Sequence, residues 1–175
     1  MGNLLFTMNY LLAITYAVLL MFGNCRKEPP QPSTIYKAEM MSRKDLETSF
    51  AAKPAQNVIN PGKIYTKGNF IYLNEQYEGV HIIDNTDITK PNKIAFLQIK
   101  GCIDISIKGN FLYADNAVDL ITLDISDANP MNVRIVKRNK SVFPEPVPPD
   151  LGYMPSYYTS AERSKDSIIV AWKKE

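Results

Sequence analysis

The sequence predicts an all-β fold, assembled from two tandem copies of a four-stranded antiparallel unit. A stretch beginning Lys67-Gly-Asn-Phe-Ile-Tyr-Leu-Asn74 returns as Lys108-Gly-Asn-Phe-Leu-Tyr-Ala-Asp115. Each copy is cut into short β-branched and aromatic runs by Gly, Asn, Asp and Pro, the punctuation of strands and turns. The copies lie 41 positions apart at Gly68 and Gly109, 40 at Asp84 and Asp124, and 39 at Pro91 and Pro130. Each lost residue falls in a connection, so strands keep register while loops absorb the change; a one-residue slip would turn a strand inside out. A four-stranded unit of about 40 residues is the period of a propeller blade. The fold class is therefore a partial β-propeller with two legible blades, an N-terminal signal helix and one short packing helix.

Residues 1–24 read as a signal peptide. Tyr10 to Phe22 is an uncharged apolar run of thirteen residues, the length of a secretory apolar core and short of the ~20 a membrane-crossing helix needs. Residues 25–34 are a tether held extended by Pro29, Pro30 and Pro32. Residues 35–60 form a lead-in containing a helix over about 43–51, with Ser42 as N-cap, Asp45 at the third helical position, Met41 and Leu46 as a hydrophobic staple, and Pro54 as the stop. Residues 61–140 hold the two blades.

In the first blade, strands are expected at 63–67, 70–73, 80–83 and 93–99. The second blade places them at 102–107, 111–114, 120–123 and 133–137. Gly68-Asn69 and Gly109-Asn110 make two-residue hairpin turns. Residues 141–175 are a proline-rich connector, with four prolines between Phe143 and Asp150, then an aromatic loop and a partial further strand at 167–172.

Two resemblances follow from these residues. Gly23-Asn24-Cys25, closing the apolar run, resembles the lipobox of bacterial lipoproteins, which implies that Cys25 becomes the lipidated N-terminus and the membrane anchor. No Lys or Arg precedes the run and Arg26-Lys27 follow it, which leaves a single uncleaved N-terminal anchor as the alternative address. Gly79-Val-His-Ile-Ile-Asp84 and Leu120-Ile-Thr-Leu-Asp124, with Asn129-Pro130, resemble the LVIVD repeat over about residues 61–140. The combination is similar to LVIVD-repeat lipoproteins of the Bacteroidota cell envelope. It implies lipid anchoring to the outer membrane and a β-propeller of uncharacterised function, with no catalytic residues.

The repeat signature, Gly68, Asn69, Asp84, Pro91, Gly109, Asn110, Asp124 and Pro130, reads as structural, because Asp and Asn at turns cap their own backbone. Asp87, Asp115, Asp119 and Asp127 join the turn carboxylates, and their spacing lacks the alternation and glycine of a calcium loop. His81, alternating with Val80 and Ile82, reads as a strand histidine, and Cys102 as a small apolar group. Cys25, Cys102 and one histidine give no metal-ligand pattern. No cofactor is expected. Twenty basic against eighteen acidic residues in short scattered clusters speak against nucleic acid. Tyr153, Tyr157, Tyr158 and Trp172 form either a stacking platform or a cover over a bare sheet.

The expected function is a non-enzymatic cell-envelope lipoprotein whose blades present an interaction surface to a protein or glycan. The alternative is a propeller-type hydrolase or lyase acting on glycans or peptides, with turn carboxylates as acid and base. A propeller takes at least four blades, so two imply an incomplete one: a fragment, a truncated reading frame, or a protomer completed by further blades or a second protomer.

Overall fold

The computed structural model describes residues 34–174. The signal segment, Cys25 and nearly all of the tether lie outside the described residues. The chain runs β1 (Tyr36–Ser42), α1 (Arg43–Thr48), β2 (Ala51–Pro54), β3 (Pro61–Lys67), β4 (Phe70–Glu75), β5 (Gly79–Asp84) and β6 (Asn92–Gln98). It continues through β7 (Ile105–Lys108), β8 (Phe111–Asn116), β9 (Asp119–Asp124), β10 (Arg134–Asn139) and β11 (Ser167–Lys174). The strands pair antiparallel in three sheets: β2-β6-β5-β4-β3, β10-β9-β8-β7, and β1-β11. Among the described residues they do not close into a ring.

Each copy of the repeat forms one sheet. Gly68 and Gly109 adopt φ of 55° and 58° at the hairpin turns, and a β-carbon at either would meet nothing within 4 Å. What selects glycine there is the left-handed backbone rather than space. The two sheets pack together through one apolar cluster that includes Tyr72, Val80, Leu97, Leu112, Ile121 and Leu123. Lys63 reaches Asp104 at 2.5 Å and Lys67 reaches Asn110 at 2.9 Å, tying the sheets along β3 and β7.

Three expectations need correction. The first sheet has five strands rather than four, because β2 adds to β6 with Ala51 opposite Gln98 and Pro54 opposite Ala95. Pro54 ends this edge strand, where a missing N–H leaves no ladder bond unmade. The helix accordingly stops at Thr48. Six residues are too few to hold helix on propensity, and Phe50 and Ala52 gain more by packing on the inter-sheet core. Its start matches the sequence: the Ser42 hydroxyl accepts from the Asp45 N–H at 3.0 Å and donates to the Asp45 carboxylate at 2.7 Å. Met41 and Leu46 share a cluster with Ala117, Val118, Ile168 and Val170.

Residues 102–104 are not strand, because the N–H groups of Ile103 and Asp104 turn to the Asp115 carboxylate at 2.9 and 2.8 Å. β1, read only as part of the lead-in, pairs along its whole length with β11.

The β4–β5 hairpin of the first sheet is hydrogen-bonded to the segment leading into β7 of the second. Tyr77, at φ 64°, donates its N–H to the Cys102 carbonyl at 2.7 Å and accepts from the Gly101 N–H at 2.8 Å. A β-carbon on Gly101 would come within 2.6 Å of the Ala117 nitrogen, so backbone passes backbone there and only glycine fits.

Candidate interaction surface

The repeat's acidic residues serve their own turns. Asp84 accepts from the Thr86 N–H at 2.9 Å and its hydroxyl at 2.6 Å, and Asp87 does the same for Thr89. Asp124 accepts from the Ser126 N–H and Asp127 from the Asn129 N–H. These bonds favour the charged form: the hydroxyls of Thr86, Thr89 and Ser126, each with its backbone N–H, and for Asp127 the Asn129 N–H, hold the carboxyls below their ordinary range.

Asn69 and Asn110 offer their carbonyls to the N–H groups of Asn85 and Ile125, closing the far end of each hairpin. Pro91 is exposed in the turn before β6, and Pro130 opens a single 3-10 turn capped by Asn129. Among the described residues, no group of three or more His, Cys, Asp and Glu is placed to hold a metal ion.

Two buried polar clusters attach the flanking segments. Glu75 accepts from the N–H groups of Ile59 (3.0 Å) and Asn60, and its other partner is His81 Nε2 at 2.9 Å. Burial alone would raise the Glu75 carboxyl, but the two N–H groups and His81 outweigh it and hold it below the usual range. His81 stacks at a tilt on Phe96, ring centres 4.8 Å apart, and its Nδ1 is buried without a partner.

In the second copy Asp119, fully buried, accepts from Arg43 at 2.7 Å, Arg138 at 2.7 Å and the Ser141 N–H at 3.0 Å. Glu75, Arg43 and Arg138 carried no motif. Glu75 and His81 were findable by registering the β4–β5 hairpin, since Leu73 stands opposite His81 and places both on one face.

What remains open is apolar. On the second sheet, Tyr113 and Leu120 line a cleft of about 700 Å³ that Tyr65, Tyr77, Phe143 and Pro146 complete. Its carboxylates are engaged: Asp104 with Lys63, Glu145 with Arg163, Asp115 with two backbone N–H groups. Burial pushes the Asp115 carboxyl up despite those bonds. On the same face Phe111 is 41% exposed. The first sheet exposes Ile64, at 62%, on the face that also carries Leu73 and Ile83.

The aromatic loop does not form one platform. Tyr158 and Trp172 are buried edge to face, with the indole N–H donated to the Pro146 carbonyl at 2.8 Å, whereas Tyr153 and Tyr157 face outward.

Residues 102–136 match the LVIVD repeat, a propeller-type repeat. The match spans β7, β8, β9 and the start of β10. No curated protein and no solved structure matches the chain.

Proposed function

We propose that this protein is a non-enzymatic cell-envelope lipoprotein, anchored to the outer membrane through Cys25, whose LVIVD-type propeller sheets present an interaction surface to a protein or glycan. The observation that carries the surface is the apolar face of the second sheet, where Phe111 is exposed and Tyr113 and Leu120 border a cleft whose carboxylates are already paired. Exposed apolar area with satisfied polar groups at its edge suits binding by burial better than acid–base chemistry. A glycan or peptide hydrolase needs two carboxylates free to exchange protons, and the turn aspartates are engaged by their own backbone.

Two measurements test the reading. Labelled palmitate should enter wild type and not Cys25→Ser, and that variant should leave the membrane pellet; a variant that stays in the pellet would sink the lipid anchor. For the surface, Phe111→Cys should react with a maleimide in dilute purified protein and be protected in intact envelopes, while the buried Cys102 stays silent in both. Equal labelling in both settings would remove the claim that this face is engaged.

A further inference from the structure

The two repeat sheets pack front to back. The first sheet contributes the face bearing Tyr72, Val80 and Leu97, whereas the second contributes the face bearing Leu112, Ile121 and Leu123. In repeat numbering these are opposite faces, since Tyr72 corresponds to Tyr113 and Leu112 to Ile71. Burial follows that asymmetry position by position. Tyr72 and Val80 are buried while their counterparts Tyr113 and Leu120 are half-buried, and Phe70 packs on the core while Phe111 is exposed. On the other face the order reverses: Ile105 is 2% exposed and its counterpart Ile64 62%, and Leu123 is buried while Ile83 is half-buried. At these positions the side chain is covered in the copy that has a neighbouring sheet on that side and more exposed in the copy that lacks one; on the first sheet's outer face His81 and Phe96 depart from this, buried beside Ile59, Asn60 and Trp172.

From this we infer that a second copy of the same chain docks head to tail, the bare face of its first sheet on the bare face of this chain's second sheet. The inference rests on the reading of that face as an interaction surface and names its occupant. At Ile64, Leu73 and Ile83 of the one and Phe111, Tyr113 and Leu120 of the other, the outer faces repeat the two halves of an interface already formed within the chain, so their apolar pattern is complementary there.

Charge agrees. The internal pair Lys63–Asp104 joins equivalent positions, so the same step from chain to chain sets Asp104 of one copy opposite Lys63 of the next, an attraction. Both side chains are more than half exposed and able to serve a second neighbour. The internal pair Lys67–Asn110 becomes Lys108 of one copy beside Asn69 of the next. The flanking segments touch part of each face: Trp172 and Lys173 of β11 lie beside His81 and Phe96 of the first sheet, and Phe143 and Pro146 of the connector beside Tyr113 and Leu120 of the second, while Ile64 and Phe111 remain exposed. Such a contact is heterologous, joining unlike surfaces, so it closes into a ring or continues from chain to chain according to the rotation it imposes.

The experiment uses the full chain in detergent, with Asn69→Cys and Lys108→Cys made as separate variants, so that no cross-link forms within one chain. A short bismaleimide should give several-fold more dimer from the one-to-one mixture than from either variant alone, above the background that wild-type thiols set. Ile64→Asp, placed on an exposed position and checked for native circular dichroism, should abolish the mixture's dimer. No excess dimer in the mixture, equal dimer from either variant alone, or dimer that survives Ile64→Asp each overturns the inference. Protection of Phe111→Cys in envelopes without copy-to-copy cross-links would leave the surface standing and assign it to a different partner.

Discussion

Removing the Asp119 carboxylate should be among the most destabilising single changes in the second sheet. The side chain is fully buried and accepts from two guanidinium groups and the Ser141 N–H, so Asp119→Ala strands two arginines and a backbone donor. Breaking a buried ion pair from one side costs about 3–5 kcal/mol. Arg43, 27% exposed, recovers part of its hydration, which puts the expectation at the lower end, about 3 kcal/mol. With a urea m-value of ~2 kcal/mol/M for a chain of this size, the unfolding midpoint should fall by about 1.5 M at unchanged slope. Far-UV circular dichroism, with fluorescence of the single Trp172, gives the readout.

The difference between variant and wild type should also depend on pH. Burial by itself raises the Asp119 carboxyl, but the bonds from Arg43, Ser141 and Arg138 outweigh it and hold the folded value below the ordinary 3.8. An acid depressed on folding stabilises above its unfolded pKa, and that contribution fades as pH falls through the folded value. The gap should therefore be full at neutral pH and begin to close only below about pH 4, as pH falls toward the folded value. A midpoint shift under ~0.3 M, or a gap that does not shrink in acid, would refute the assignment of this carboxylate as the anchor of α1 and the connector.

Three further outcomes follow from geometry. Gly79→Ala puts a β-carbon 2.0 Å from the Leu97 carbonyl oxygen at a φ of 147°, and should cost about 3 kcal/mol or more, seen as a melting temperature lower by roughly 6–12 °C. Glu75→Gln should weaken the hold on Ile59 and Asn60 by about 1–3 kcal/mol, with faster amide exchange confined to those two residues and β5. The Cys102 thiol, which burial pushes well above its ordinary pKa and to which the Asn74 amide donates at 3.2 Å, should resist alkylation at pH 8 until the chain unfolds. Mass spectrometry of its peptide checks this, and rapid native labelling would contradict the packing.

The repeat sheets were legible because what specifies them is local. Alternation, Gly-Asn turns and turn aspartates occupy a few adjacent positions, and the Ser42–Asp45 cap is equally local. The strands missed are those whose only reason lies elsewhere. β1 reads Tyr-Lys-Ala-Glu-Met-Met-Ser without clean alternation, and becomes a strand because Ala38 meets Trp172 and Met41 meets Ile168 more than a hundred residues later. β2 holds two alanines whose helix propensity is overridden by the β6 edge. The surface was illegible for a related reason. Phe70 and Phe111 sit in the same local sequence, and only the stacking of the sheets decides that one is covered and the other bare.

Where the copies differ is as informative as where they agree. Gly79 and Asp119 occupy one repeat position. In the first sheet β6 extends as far as Gln98, opposite Gly79, and backbone presses where a side chain would stand. In the second sheet β10 ends at Asn139, opposite Leu120, leaving room for a carboxylate that draws in Arg43 of α1 and Ser141 of the connector. Likewise Glu75 and Asn116 share a position. The former holds the lead-in loop through Ile59 and Asn60, the latter donates to the Lys100 carbonyl and accepts from Arg138. At each position one copy's residue, Asp119 in the second sheet and Glu75 in the first, has left the repeat to bind a segment that is not itself repeated. The common residues therefore build the sheet and its turns, whereas the divergent polar ones fasten each sheet to its own flanking chain. His81, whose counterpart Ile121 is core, belongs with the second class, and its partner Glu75 explains why a histidine is tolerated at a position the repeat otherwise gives to isoleucine.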